Sequence, residues 1–246
     1  GNLNEQTAGV YADHCLLTSN QKILNDINRM FLYFSDSKNG LSNLKECHSL
    51  IVSPTGMRKK MIELIDHEIA LAKKGKHAEM TIKLNSLSDI ELIKKIYHAV
   101  ASGVKVNMII RGIFCAVTEQ SKFEKRFNAI SIIDQFLEHA RILVFENGGH
   151  KKVFISSADW MNRNLDYRVE ATAEITDKKI QQELLDIIQL QLTDNVKARV
   201  LDKELTNQHS GHRTQHSTTD SGNGSADICA VAIMQTRARA FRLQTH

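Results

Sequence analysis

The sequence contains no apolar run of about 18 residues, the length that a membrane-spanning helix requires. Its start, Gly1-Asn2-Leu3-Asn4, has neither the basic residues nor the apolar stretch of a signal peptide. We therefore predict neither a spanning helix nor a secretory leader.

Cysteine is also scarce, and its spacing carries no motif. The four cysteines are far apart and no two of them form a CxxC pair: Cys15, Cys47, Cys115 and Cys229. Disulfide frameworks and structural zinc sites both show close, repeated spacings. We therefore expect reduced thiols, as in a cytosolic protein, rather than disulfides or zinc.

The composition is that of a globular protein with a small positive charge. Apolar residues make up 42% of the chain and charged residues 24%. The net charge of +4 is compatible with an anionic ligand but does not identify one. A length of 246 residues is sufficient for one large domain or two small ones.

Hydrophobic periodicity predicts strands that alternate with helices. Strands are expected at 10–17, 78–84, 104–111, 139–146, 152–157 and 171–175, and helices at 20–34, 56–74, 89–102 and 177–194. Such alternation is typical of a largely parallel α/β sheet with helices on both faces. A polar, glycine-containing stretch at 35–48 forms the clearest internal boundary.

Two predicted neighbouring strands carry the chemically most informative residues. Side chains alternate along a strand, so His139 and Arg141 are expected on the same face. A turn at 147–149 returns the chain as a second strand, and its end would bring Ser157 and Asp159 close to His139. These residues therefore form a candidate site if the two strands pair.

Phosphate is the ligand that this set of side chains suits. Arginine offers a charged, planar set of donors that matches phosphate oxygens, and histidine exchanges protons near neutral pH. Asn85 and Arg111 follow two other predicted strands, at the carboxyl ends where α/β sheets bind ligands. A second interpretation stays open, in which His139 is a hydrogen-bonded, partly buried residue and Arg111 a solvated charge.

Residues 136–149 and 151–170 resemble the C-terminal catalytic half of the bacterial polyphosphate kinases, a phospholipase-D-like family that uses a phosphohistidine. The resemblance extends from Gly1 to about Leu205, and it includes Tyr11-Ala12-Asp13, Ile82-Lys83-Leu84-Asn85 and Ile109-Ile110-Arg111-Gly112. Several long motifs in a fixed order are far more specific than one short pattern. One stretch departs from the family: residues 117–128 are highly charged, lack Pro and Gly, and are predicted to form a solvated loop or short helix.

The resemblance implies roles for the candidate residues. His139 would act in acid–base catalysis opposite a phosphorylated histidine that lies upstream of Gly1. Tyr11 and Arg111 would contact the nucleotide, and Arg168 would be a further phosphate ligand. The other candidates for nucleotide or phosphate binding are Asn85, Arg141, Ser157 and Asp159.

The implied reaction is reversible transfer of the terminal phosphate of ATP onto inorganic polyphosphate. The resemblance also implies Mg²⁺ together with ATP or ADP, and protein contacts to that ion upstream of Gly1. The implied partners are the rest of the polyphosphate kinase chain and further copies in a homo-oligomer, with no nucleic acid. The implied location is cytoplasmic, either free or peripheral at the inner membrane. We expect this half of a two-half active site to be inactive alone.

Two other functions stay open at the level of sequence. A phospholipase-D-like nuclease or lipase would need a second HxK half, and Arg141 stands where that motif has lysine. A catalytically silent polyanion-binding module is the third alternative.

The same reasoning divides the chain into three parts. We assign 1–48 to the end of a first phospholipase-D-like half, 49–205 to the second phospholipase-D-like domain and 206–246 to a disordered tail. The tail holds three histidines whose loose spacing does not predict a metal site: His209, His212 and His216.

Overall fold

The computed structural model describes residues 4–36, 38, 40–120, 123, 125–204 and 206–210 and the backbone of 241–242. Its helices are α1 (Glu5–Ala8), α2 (Gln21–Ser35), α3 (Leu41–Lys45), α4 (Met57–Lys73), α5 (Ile90–Ala101) and α6 (Lys178–Leu192), with a 3₁₀ turn at Asn147–Gly149 and a π-helical turn at Arg163–Tyr167. Its strands are β1 (Tyr11–Ala12), β2 (Leu16–Leu17), β3 (Leu50–Ser53), β4 (Glu79–Leu84), β5 (Lys105–Ile110), β6 (Phe127–Ser131), β7 (Leu137–Glu138), β8 (Arg141–Phe145), β9 (Lys152–Ser156), β10 (Glu170–Ile175), β11 (Arg199–Val200) and β12 (Phe241–Arg242).

Eight strands form one mixed sheet in the order β11-β6-β5-β4-β8-β9-β10-β3. The α/β class, the mixed sheet and its flanking helices are confirmed, but the expectation that the sheet is largely parallel was wrong. Within the described residues, β4–β5 and β5–β6 pair in parallel, and the other five pairings of this sheet are antiparallel. For β8 and β9 the cause is local, because the short turn around Gly148 (φ 67°) can join only antiparallel strands.

Helices cover both faces of the sheet. Leu143 and Phe145 of β8 belong to a core shared with α4 and α5, whereas Ile142 and Val144 belong to a core shared with α6. This alternation follows from the two-residue period of a strand. The faces are called the α4/α5 face and the α6 face below.

Side-chain caps fix the first turns of three long helices. Asn20 accepts hydrogen bonds from the first amides of α2, Asp89 caps α5 and Asp177 caps α6. A cap of this kind satisfies amides that have no partner inside the helix.

Three segments differ from the sequence-based expectations. The strand expected at 10–17 is divided into β1 and β2, and the strand expected from His139 begins at Arg141. Strand β6 was not predicted, because the charged stretch 117–128 runs directly into it. Its residues Phe127 and Ala129 are nonetheless buried.

No helix among the described residues has both the length and the apolar character needed to cross a membrane. Cys15 and Cys115 are exposed free thiols and Cys47 is a half-buried one; Cys229 lies outside the described residues.

In the expected tail, His209 pairs with Arg199 of β11, and the backbone of β12 pairs with β2. Residues 211–240 and 243–246, including two of the tail histidines, lie outside the described residues, so their predicted disorder stays a prediction.

Candidate active site at one edge of the sheet

Strand directions gather the candidate residues at one edge of the sheet. The parallel strands β4 and β5 end there, and Asn85 and Arg111 directly follow them. Strand β8 runs antiparallel to β4 and therefore begins at this edge with Arg141, while β9 ends there before Ser157. Ligands of α/β sheets bind beyond the carboxyl ends of parallel strands, which is this edge.

A separate ribbon of two short strands brings Tyr11 to His139. Strands β1 and β7 pair in parallel, and the carbonyl oxygen of Ala12 accepts hydrogen bonds from the amides of His139 (3.0 Å) and Ala140 (3.3 Å). The rings of Tyr11 and His139 meet edge to face, with 4.9 Å between their centroids and 86° between their planes. Tyr11 is thus in direct contact with the imidazole.

The His139 ring lies between a carboxylate and a guanidinium. Its Nδ1 is 2.8 Å from Oδ2 of Asp13, and its Nε2 is 3.2 Å from Nη2 of Arg141. A neutral ring with its proton on Nδ1 satisfies both contacts, because Nδ1–H donates to Asp13 and Nε2 accepts from Arg141. The arrangement therefore defines a tautomer for the resting ring.

Asp13 is the residue that the sequence analysis missed. Burial raises the pKa of the Asp13 carboxyl, while hydrogen bonds from His139 and from the amide of His14 are among the interactions that lower it, and the net pKa lies below its usual range. Asp13 is therefore ionised at neutral pH. The available signal was its place in the Tyr11-Ala12-Asp13 motif, two residues after a candidate tyrosine.

Arg141 is occupied by protein partners. Its Nε and Nη2 both bind the carboxylate of Asp159 at 3.1 Å, and its Nη1 donates to the carbonyl oxygen of His139 at 3.1 Å. Both Arg141 and Asp159 are buried. Four of the five N–H donors of a guanidinium are thereby used, once the contact to the His139 ring is included. The geometry thus points to a role in orienting His139, although phosphate binding was expected.

Asp159 and Asn85 extend this network to Arg111. Oδ1 of Asp159 accepts from the backbone amides of Asn85 (2.8 Å) and Ser86 (3.1 Å). The side-chain oxygen of Asn85 accepts from Nε of Arg111 at 2.9 Å. Gly112 allows the close approach, since a Cβ at that position would lie 3.1 Å from the carbonyl oxygen of Asn85. The Nη groups of Arg111 have no hydrogen bond to any described residue.

Ser157 and Arg168 are less closely connected. Ser157 shares an open cleft of about 180 Å³ with Asp13 and Arg141, and its hydroxyl donates to Glu170 at 2.5 Å. Arg168 is exposed, and within the described part of the chain its guanidinium has no ion pair. The structure therefore links Tyr11, Asn85, Arg111, His139, Arg141 and Asp159 through contacts, places Ser157 beside them and leaves Arg168 outside the network.

Comparison with known proteins identifies the family. The family model for polyphosphate kinase C-terminal domain 2 matches residues 50–221, and the model for C-terminal domain 1 matches residues 1–40. The chain belongs to the polyphosphate kinase family.

Curated polyphosphate kinases are similar over most of the chain. The polyphosphate kinase of Vibrio cholerae is 47% identical and that of Klebsiella pneumoniae 43% identical, each over 209 residues, or 85% of this chain. The chain spans only 29% and 30% of the length of these two relatives. The crystal structure of polyphosphate kinase from Porphyromonas gingivalis superposes with a TM-score of 0.79 at 34% identity, covering 95% of this chain and 34% of that one.

Proposed function

We propose that this chain is the C-terminal catalytic part of a polyphosphate kinase and that it acts in reversible transfer of the terminal phosphoryl group of ATP to inorganic polyphosphate. Family membership supports the reaction class. The observation that carries the proposal is the His139 ring, held 2.8 Å from the Asp13 carboxylate and 3.2 Å from the Arg141 guanidinium. Both neighbours orient the ring, and the Asp13 carboxylate can accept from Nδ1–H in either protonation state, which suits acid–base catalysis.

The transfer is proposed to take two displacements. In the first, a histidine nitrogen elsewhere in the full polypeptide attacks the terminal phosphorus, a P–N bond forms, and the P–O bond breaks with its electron pair leaving on ADP. In the second, a terminal oxygen of polyphosphate attacks the phosphohistidine, a P–O bond forms, and the electron pair of the P–N bond returns to the histidine. Both displacements depend mainly on positioning and on neutralising phosphate charge.

His139 is proposed to move a proton at Nε2 when a phosphate group displaces the Arg141 donor from that nitrogen. The Asp13 carboxylate then stabilises the imidazolium through Nδ1–H, as the carboxylate does in a catalytic triad. Arg141, fixed by Asp159, prevents the ring from turning. Each of the three residues thus has a distinct task, and only His139 touches the reacting group.

Arg111 and Tyr11 are proposed to bind the nucleotide. Asn85 holds Nε of Arg111, and the two Nη groups have no hydrogen bond to any described residue. A guanidinium with both Nη groups available can bind two phosphate oxygens at once. Ser157 in the neighbouring cleft and the exposed Arg168 would contact phosphates farther along the substrate.

Mg²⁺ would accompany ATP and help to neutralise its phosphates. Among the described residues, no three His, Cys, Asp or Glu side chains cluster closely enough to hold a metal ion. We propose that the protein contacts of the ion lie elsewhere in the full polypeptide, and no step of the proposal passes through it.

The wider organisation is also a proposal. We infer that residues 1–48 end one domain, that 49–205 form the next, and that the remaining polypeptide completes the active site. The separate family matches to 1–40 and 50–221 support this division. A cytoplasmic location, assembly into a homo-oligomer and the absence of a nucleic-acid ligand belong to the same proposal.

The test is polyphosphate synthesis by a full-length polyphosphate kinase that contains this chain. We expect His139→Ala to lower kcat by about 10²–10⁴-fold, the contribution typical of a general acid–base group. The matched control is His150→Ala: His150 is exposed between β8 and β9, at the opposite edge of the sheet, and its loss should leave kcat unchanged.

Three outcomes would contradict the proposal. They are full activity of His139→Ala, equal losses in the two histidine variants, and His139-dependent hydrolysis of a phosphodiester substrate in place of polyphosphate synthesis. The last outcome would identify a phospholipase-D-like phosphodiesterase.

A further inference from the structure

The ribbon that carries Tyr11 and leads into His139 is separate from the main sheet. Strands β1 and β7 form a two-stranded sheet of their own, with two residues in each strand. Two short strands are not stable by themselves in water. The direction of the His139 ring therefore depends on what attaches this ribbon to the rest of the protein.

One buried carboxylate contributes to that attachment. Oε2 of Glu138, the residue before His139, accepts from Nζ of Lys83 on β4 and from Nε2 of Gln191 on α6, both at 2.8 Å. The side chains of Lys83 and Glu138 are 3% and 14% exposed. This contact joins the ribbon to the central strand and to the end of α6.

The ion pair lies on the face of the sheet opposite to Arg141. Lys83 pairs in register with Ile142, whose side chain belongs to the core on the α6 face. Arg141 precedes Ile142 in β8, so its side chain leaves the strand on the α4/α5 face. Glu138 and His139 are also consecutive. The Glu138 side chain reaches Lys83 on the α6 face, and the His139 ring reaches Arg141, whose side chain leaves β8 on the α4/α5 face.

We propose that Glu138, held by Lys83 and Gln191, is a positioning residue that fixes the direction of the His139 ring. In an extended segment, successive side chains point to opposite sides. Once Glu138 is bound on the α6 face, His139 must point towards Arg141 and Asp13. A buried ion pair contributes little net stability compared with an apolar pair, so positioning is the better account of its presence. The catalytic consequence rests on the proposed function, whereas the structural one rests on geometry alone.

The structural test measures amide hydrogen exchange in this chain. The double variant Lys83→Met/Glu138→Ala removes both charges together, so neither is left buried without its partner. We expect exchange at the His139 and Ala140 amides to become about tenfold faster, because the ribbon opens locally. Exchange at Met108 and Leu143, in the central strands, should not change.

The matched control is the ion pair between Lys95 and Asp66, whose Nζ and Oδ1 atoms are 2.9 Å apart on the helices of the α4/α5 face. Lys95→Met/Asp66→Ala should leave exchange at His139 unchanged. Unchanged exchange at His139 in the Lys83/Glu138 variant would overturn the inference. Uniform acceleration across the sheet would overturn it as well, since it would indicate a general loss of stability.

The catalytic test uses the full-length enzyme. The Lys83/Glu138 variant should lower kcat about tenfold or more while KM for ATP changes less than about twofold, because the ring is displaced but the nucleotide contacts remain. A changed KM with an unchanged kcat would contradict a positioning role. If the unmodified enzyme forms no polyphosphate, the proposed function fails, and the exchange experiment still decides the positioning inference.

Discussion

Two buried aspartates in this chain have nearly the same surroundings. Asp26 of α2 accepts hydrogen bonds from the amides of His48, Ser49 and Leu50 and from Arg29. Asp159 accepts from the amides at 85 and 86 and twice from an arginine at the sheet edge. The two are 1% and 4% exposed. Both carboxylates are therefore compensated in the same way.

The difference lies in what each arginine touches next. Arg29 is 32% exposed in its side chain and faces Glu46. Arg141 is 9% exposed and donates to Nε2 of the His139 ring. The same combination of carboxylate, amides and guanidinium therefore joins α2 to β3 in one region and orients a proposed catalytic group in the other. Burial and hydrogen bonding alone do not distinguish the two tasks.

The largest difference between the two regions is predicted for Asp159→Asn. An asparagine amide would place a donor against the buried Arg141 guanidinium, which would lose its counter-ion. Leaving such a charge unpaired costs about 3–5 kcal/mol of the free energy of unfolding. We also expect kcat for polyphosphate synthesis to fall in the folded fraction, because Arg141 no longer holds the His139 ring. Urea denaturation of the chain and kinetics of the full-length enzyme measure the two effects.

Asp26→Asn is the matched control. The asparagine oxygen can still accept from the three amides, and the partly exposed Arg29 can turn towards water, so the cost is about 1–3 kcal/mol. The kcat of the folded enzyme should stay the same. Similar losses of kcat in the two variants would show that the distinction between the regions is wrong.

Sequence reasoning succeeded where the determining interactions are local. The 3.6- and 2-residue periodicities located most helices and strands, and the turn at 147–149 placed β8 beside β9. His139 and Arg141 were expected on one face because they are two residues apart, and their side chains are in contact. At the same edge the backbone amide of Asn85 donates to Asp159, a contact that was not predicted.

The same reasoning failed where pairing is distant in sequence and short in extent. The contact between Asp13 and His139 joins residues 126 positions apart through a ribbon with two residues per strand. Two-residue strands have no detectable periodicity. The protein partner of Arg141 was missed for a related reason: an arginine suited to phosphate is equally suited to a buried carboxylate, and only the fold reveals Asp159 beside it.

A smaller effect is predicted for Asp13→Asn. This substitution removes the negative charge beside the His139 ring and leaves Arg141 and Asp159 unchanged. The asparagine is neutral, so it stabilises an imidazolium less than the ionised Asp13 does. We expect kcat to fall about 10–100-fold, less than for loss of His139 itself, with little change in KM for ATP. Kinetics of the full-length enzyme test this. A loss as large as that of His139→Ala would mean that Asp13 has a direct chemical role, whereas an unchanged kcat would remove it from the mechanism.

The smallest effect is predicted at a third buried carboxyl, Glu68 of α4, which has no arginine. Its Oε1 accepts from the amide of Asn147 at 2.6 Å, and its Oε2 has no partner among the described residues. Burial raises the pKa of Glu68, and the hydrogen bond from Asn147 lowers it by less. The folded protein thus keeps this proton at pH values where the unfolded chain has lost it, so stability falls as the pH rises above the ordinary pKa of glutamate.

Glu68→Gln removes the charge and should abolish this part of the pH dependence. We expect the free energy of unfolding to rise by about 1 kcal/mol at neutral pH, the scale of one poorly satisfied buried polar group, and to change little near pH 4. Urea denaturation at several pH values between these limits measures both quantities. An unaltered pH slope in the variant would mean that Glu68 is ionised in the folded state.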